Sequence, residues 1–130
     1  VTDVAKRNKA NRRKGAQWQA DFREGMRGEG FDVETLALAG KEDEGDTVVK
    51  HRAGLLIPQI VVVEQKNAAR FEPATFVKEA EAEWLNYAKH RGISPTEILP
   101  IAVVKRRGAN WRKAYVLTTV EHFFGLWDTW

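Results

Sequence analysis

Three side chains in this sequence have the types and spacing to act together on a phosphate ester. Asp46 follows Gly45, and 17 residues separate it from Glu64-Gln65-Lys66. Glu64 and Lys66 stand two apart, so on a strand both side chains leave from one face. They also sit where the apolar run Ile60-Val61-Val62-Val63 ends, at the margin of that strand. Taken alone, a glutamate and a lysine at this spacing form an ordinary ion pair. A second carboxylate alters the chemistry, because two acids held together repel unless a cation lies between them. Carboxylate oxygens suit Mg²⁺, with Mn²⁺ able to substitute, and both ions also bind phosphate oxygens. A lysine beside such an ion can orient or help deprotonate an attacking water and offset charge in the transition state.

Those residues need elements that bring them together. Asp46 opens a short β-branched run to Lys50, His51 to Gly54 reads as a turn, and Leu55 to Lys66 is rich in Ile and Val. The absence of polar alternation at 60–63 predicts a strand covered on both faces, with Pro58 near its start or at an edge. A hairpin feeding a central strand would set Asp46 beside Glu64. Upstream, Trp18, Phe22 and Met26 recur every four residues and predict an amphipathic helix closed by Gly28 and Gly30. Phe31 to Leu38 reads as a first strand and residues 40–45 as an acidic loop. Downstream, Phe76, Ala80, Trp84 and Tyr87 mark a helix from Pro73 to about Arg91, with Glu79, Glu81 and Glu83 as solvated charge. Ile101–Lys105 and Tyr115–Thr118 read as two further strands. Thr118 and Glu121 have capping-box spacing, which predicts a last short helix carrying Phe123, Phe124 and Leu126.

Charge is distributed unevenly. The net charge is +3, yet the first 14 residues carry +5 and the remaining 116 carry −2. Lys9, Arg12, Arg13 and Lys14 in the basic start suit the phosphates of a nucleic acid, although a solvated tail has the same composition. The loop bearing Lys105, Arg106, Arg107 and Arg112, with Trp111 among them, is a second candidate for phosphate binding, against the plainer reading of a solubilising loop. There is no cysteine, which excludes disulfides, thiolate zinc sites and a cysteine nucleophile. His51, His90 and His122 lie too far apart in sequence for a paired-ligand motif. Gly25, Gly28 and Gly30 lack the strand-before-helix context of a phosphate loop, so no small-molecule cofactor is expected. Trp127 and Trp130 read as core or dimer contacts. No run approaches the roughly 18 apolar residues of a membrane span, and the basic start has no apolar signal core. An intracellular protein without membrane contact is the expectation.

Gly45-Asp46 followed by Glu64-Gln65-Lys66, set in this order of elements, resembles the PD-(D/E)xK nuclease superfamily. Arg13-Lys14-Gly15, the helix with Trp18, Phe22 and Met26, and the closing Gly30-Phe31 look like the opening of archaeal-type Holliday junction resolvases, small versions of which are carried by tailed phages. The similarity in layout covers about residues 12–105. The elements read along the chain run in the order α-β-β-β-α-β-β-α, and the resemblance implies an α/β, restriction-endonuclease-like fold with a central mixed β-sheet flanked by helices. Residues 1–13, basic and without apolar periodicity, read as a flexible arm, and with the resemblance residues 14–130 read as a single nuclease domain. The resemblance further implies a homodimer, in a host cell's cytoplasm if phage-encoded, that binds a four-way DNA junction and nicks two strands symmetrically with Mg²⁺. Asp46 and Glu64 would hold the metal with the backbone carbonyl of Gln65, and Lys66 would serve the water and the scissile phosphate. The family places a glutamate four residues after the Lys-Gly pair. Gln19 stands at that position, able to reach a metal or its water only without charge. Asp21 and Glu24 are the nearby acids that could take its place, although a helix surface is the usual site for such residues.

Two other functions fit the same sequence. One is a restriction-like or repair nuclease acting on duplex, flap or single-stranded DNA; the other is a DNA-binding module on a weakened nuclease fold, which Gln19 favours and the trio Asp46, Glu64 and Lys66 opposes. If the basic start contacts phosphate, deleting residues 1–13 will weaken DNA binding and flatten its dependence on salt. Affinity titrations at several salt concentrations measure this, and an unchanged slope would remove the segment from the interface.

Overall fold

The structure is a computed structural model, and it describes residues 3–36, 47–50 and 60–126. Within them the order is α1 (Asp3–Gly28), β1 (Asp32–Thr35), β2 (Thr47–Lys50), β3 (Ile60–Lys66), α2 (Pro73–Arg91), β4 (Ile98–Val104), β5 (Tyr115–Leu117) and α3 (Val120–Phe124). Short 3₁₀ turns at Pro95–Glu97 and Trp111–Lys113 precede β4 and β5. The predicted acidic loop, the His51 turn, Pro58, Trp127 and Trp130 lie outside the described residues.

The strands form one five-stranded mixed sheet in the order β1-β2-β3-β4-β5. β1 with β2, β2 with β3 and β4 with β5 pair antiparallel, while β3 and β4 run parallel. Helix α2 connects the two parallel strands, as a crossover between parallel neighbours requires. The alternation of side chains along β3 assigns its residues to two opposite layers. Val61 and Val63 join Trp18 and Phe22 of α1, together with Val49, Leu99 and Val103. Val62 joins Trp84, Tyr87 and Ala88 of α2, with Val48 and Ile98. A third cluster of Phe76, Ala80, Ala102 and Val104 extends the α2 side toward the ends of β3 and β4. The unbroken valine run is therefore a strand buried on both sides.

Three sequence expectations change. Residues 3–13, part of the segment 1–13 expected to be a flexible arm, continue α1 as helical turns, their described side chains exposed. Alanine, lysine and arginine are good helix formers, and the helix already nucleated around Trp18 and Phe22 needs no new nucleus to propagate backwards. Strand β4 begins at Ile98, three residues before its expected start, and runs through Pro100. A proline fits there because β5 pairs with β4 only at Ala102–Val104, leaving the proline's missing N–H without a strand partner to lose. The last helix is capped by Thr119, not Thr118: the Thr119 hydroxyl accepts from the His122 amide at 3.2 Å. Thr118 instead donates to the Pro100 carbonyl at 2.8 Å.

Trp111 fastens the 3₁₀ turn to α1. Its ring meets Phe22 edge-on at 6.2 Å and lies directly against the backbone of Gly25, where a Cβ would overlap the indole. Gly25→Ala should therefore cost about 1–3 kcal/mol through overpacking, despite an intrinsic helix preference for alanine of about 1 kcal/mol. Gly15→Ala, with nothing within 4 Å of its added methyl, is the matched control and should not destabilise. Urea unfolding of both variants measures the difference, and equal stabilities would mean that Trp111 does not hold this position.

Candidate functional site

Glu64 and Lys66 emerge together on the α2 face of β3, at its carboxyl end. The Glu64 side chain is 9% exposed and that of Lys66 21%. Lys66 Nζ lies 3.3 Å from Glu64 Oε1 and 2.5 Å from Glu79 Oε2 on α2, and 5.8 Å from the centroid of the Phe76 ring. Burial alone would disfavour the ammonium charge. The hydrogen bond to Glu79 and the charges of Glu64 and Glu79 more than compensate, and the Lys66 pKa is raised above its ordinary value. At neutral pH Lys66 is a fixed cation between two carboxylates.

Glu79 was expected to be solvated helix charge. Its position three residues after buried Phe76 and one before buried Ala80 puts it at the margin of the apolar stripe, and this spacing was the available signal. Glu81, also assigned to the solvated face, accepts or shares a hydrogen with His122 Nε2 at 2.8 Å and so ties α3 to α2.

Behind the site, on the α1 face, a chain of polar contacts fixes the relation of α1, β2 and β3. Arg23 Nε donates to Thr47 Oγ1 at 2.8 Å, Thr47 Oγ1 donates to Gln65 Oε1 at 2.5 Å, and Gln65 Nε2 donates to the Gln19 backbone carbonyl at 3.4 Å. The Gln65 side chain thus points away from Glu64 and Lys66 and is engaged in structure. Gln19 meets the sheet through its backbone, on the face opposite those two residues. Among the described residues no hydrogen bond joins its side chain to either of them. Asp21 is exposed and accepts from Gln17 Nε2 at 2.7 Å, and Glu24 is exposed. Asp46 lies outside the described residues. Thr47, its chain neighbour, is paired with Val63, the chain neighbour of Glu64. Among the described residues no three acidic or histidine side chains converge as a metal-binding group; Glu64 and Glu79 are the carboxylates beside Lys66, and carboxylate oxygens are what a hard cation requires.

The basic residues separate into groups. Lys14, Lys105 and Arg107 come together around Asn67, Ala68 and Ala69, the segment that follows Lys66, in an open hollow of about 710 Å³. Arg106 lines a neighbouring hollow with Arg70, a lone arginine that no motif or charge run in the sequence marks. Both hollows lie beyond the carboxyl ends of parallel strands, the usual place for ligands in α/β sheets. Lys9, Arg12 and Arg13 are exposed on the first half of α1. Arg112 sits apart, ion-paired to Glu29 and 5.5 Å from the Trp111 ring centroid, so its charge is partly compensated within the chain. Trp111 packs on α1 and is not presented with the basic loop.

Comparison with protein-family models, with curated proteins and with solved structures finds no match. Among the described residues no helix is long and apolar enough to cross a membrane.

A lysine whose pKa is raised on folding contributes stability that is complete below the ordinary value of 10.5 and is lost as pH climbs through the raised value. Glu79→Gln removes one of the acids responsible. The variant's melting temperature should fall below that of the native chain at neutral pH, and the two should converge as Lys66 deprotonates in strong alkali. Thermal melts across that range test the coupling; a constant offset would show that it does not involve Lys66 ionisation.

Proposed function

We propose that this chain is a metal-dependent deoxyribonuclease on a restriction-endonuclease-like fold, and specifically a resolvase of four-way DNA junctions acting as a homodimer. The observation that carries the reading is the placement of Glu64 and Lys66 on one face at the end of β3, next to a hollow lined by Lys14, Lys105 and Arg107. Glu64 is a candidate ligand for Mg²⁺ or Mn²⁺, together with Asp46 and the backbone carbonyl of Gln65. When bound, such an ion polarises a phosphate oxygen and lowers the pKa of water. Lys66, held protonated by Glu64 and Glu79, suits stabilisation of negative charge on the phosphorus centre better than removal of a proton from water. The basic hollow suits the phosphates that flank the cut. Glu79 is a positioning residue that sets the direction of the Lys66 ammonium.

The alternative of a nuclease with another DNA substrate uses the same residues, because one site can serve many substrates. A binding module without cleavage is the other reading, favoured by a Gln19 side chain that makes no bond to Glu64 or Lys66 among the described residues.

The deciding experiment incubates a labelled immobile four-way junction with the protein in Mg²⁺, beside linear duplex, flap and single-stranded controls. Lys66→Ala should lose most cleavage, at least about a hundredfold by analogy with other charge-stabilising groups, while still binding the junction. Paired symmetric nicks on the junction alone support the resolvase. Cutting of the controls keeps a nuclease and discards the resolvase, and tight binding with no cutting in Mg²⁺ or Mn²⁺ leaves the binding module.

A further inference from the structure

The hollow on the α2 side of the β3 and β4 ends combines exposed aromatic rings with arginines. Phe71 is 56% exposed and Tyr115 49% exposed, although large aromatic side chains bury readily. Their ring centroids lie 6.0 Å apart, and the Arg106 guanidinium sits 5.0 Å from the Tyr115 centroid. Arg70 and Arg107 also line this hollow, whose volume is about 850 Å³. Among the described residues no carboxylate pairs with Arg70, Arg106 or Arg107. The hollow also adjoins the candidate site: Phe71 meets Phe76 edge-on at 6.4 Å, and Phe76 lies under the Lys66 ammonium.

Rings beside arginines suit a nucleotide whose base has left the helical stack. Duplex DNA presents phosphates outside and hides its base faces, so a purely electrostatic surface would have no need of exposed Phe71 and Tyr115. An unstacked base gains by lying on an aromatic ring or a guanidinium plane, whatever its identity. We propose that this hollow binds an unpaired, unstacked nucleotide of the DNA, its base against Phe71 or the Arg106–Tyr115 pair and its flanking phosphates on Arg70 and Arg107. The hollow would then select DNA with an interrupted stack, such as a crossover or a gap, over continuous duplex. The inference takes from the proposed function only that the ligand is DNA.

The test is binding of the whole chain, in EDTA so that nothing is cut, to a duplex and to the same duplex carrying a short single-stranded gap with 2-aminopurine in it. The native chain should prefer the gapped DNA and quench the probe on binding. Phe71→Leu and Tyr115→Leu should each weaken gapped-DNA binding by about tenfold and relieve the quenching, leaving duplex affinity unchanged. Arg106→Gln, an exposed position, provides a variant that keeps the fold, verified by its thermal melt, and should lose the same preference. No preference for the gap, an unquenched probe, or equal losses on both DNAs would overturn the proposal. Gap binding with quenching but no cleavage of any DNA in metal would sink the nuclease and keep the hollow's role. Cleavage without preference or quenching would do the reverse.

Discussion

Val61 and Val63 press on α1 while Val62 presses on α2, so β3 requires cover on both faces before the sheet is stable. Full burial of each valine is worth roughly 1.5–3 kcal/mol, and a single strand with three such residues cannot tolerate an open side. That constraint forces a three-layered arrangement with a helix on each side. It also forces β4 to lie parallel beside β3, because the connecting helix must cross one face to bury Val62. The carboxyl ends of β3 and β4 therefore coincide at one rim, and the residues that follow each strand, Asn67 to Ala69 and Lys105 to Arg107, become neighbours.

The same alternation that packs β3 separates two kinds of polar residue at its end. Gln65 faces α1 and is engaged with Thr47 and the Gln19 carbonyl, fixing the strand's position. Glu64 and Lys66 face α2, where burial makes their charges costly unless they compensate each other. Glu79 completes that compensation from the helix. The outcome is a cation held in a defined direction without requiring its own carboxylate partner to be withdrawn from the site.

Charge on the surface follows from this geometry more than from sequence neighbourhood. Lys14 and Lys105, 91 positions apart in the chain, line one hollow, while Arg112 near Arg107 in sequence is turned away and tied to Glu29. The exposed rings of Phe71 and Tyr115 complete a rim in which apolar and cationic surfaces alternate.

The doubly buried strand, the helices around Trp18–Phe22 and Phe76–Tyr87, and the shared face of Glu64 and Lys66 were legible in the sequence, because periodicity of two or nearly four residues fixes which side chains lie together within one element. Boundaries were less so: the start of β4 depended on which side of Pro100 lacks a strand, and the length of α1 on propagation from a packed half into an unpacked one. The contact of Glu79 with Lys66, the gathering of Lys14 with Lys105 and Arg107, and the turning of Gln65 and the Gln19 carbonyl toward each other were not legible. Each joins residues from different elements, and a sequence pattern carries no distance between elements. Only the packing of those elements around β3 decides it, since burial chooses the face and the face chooses the partner.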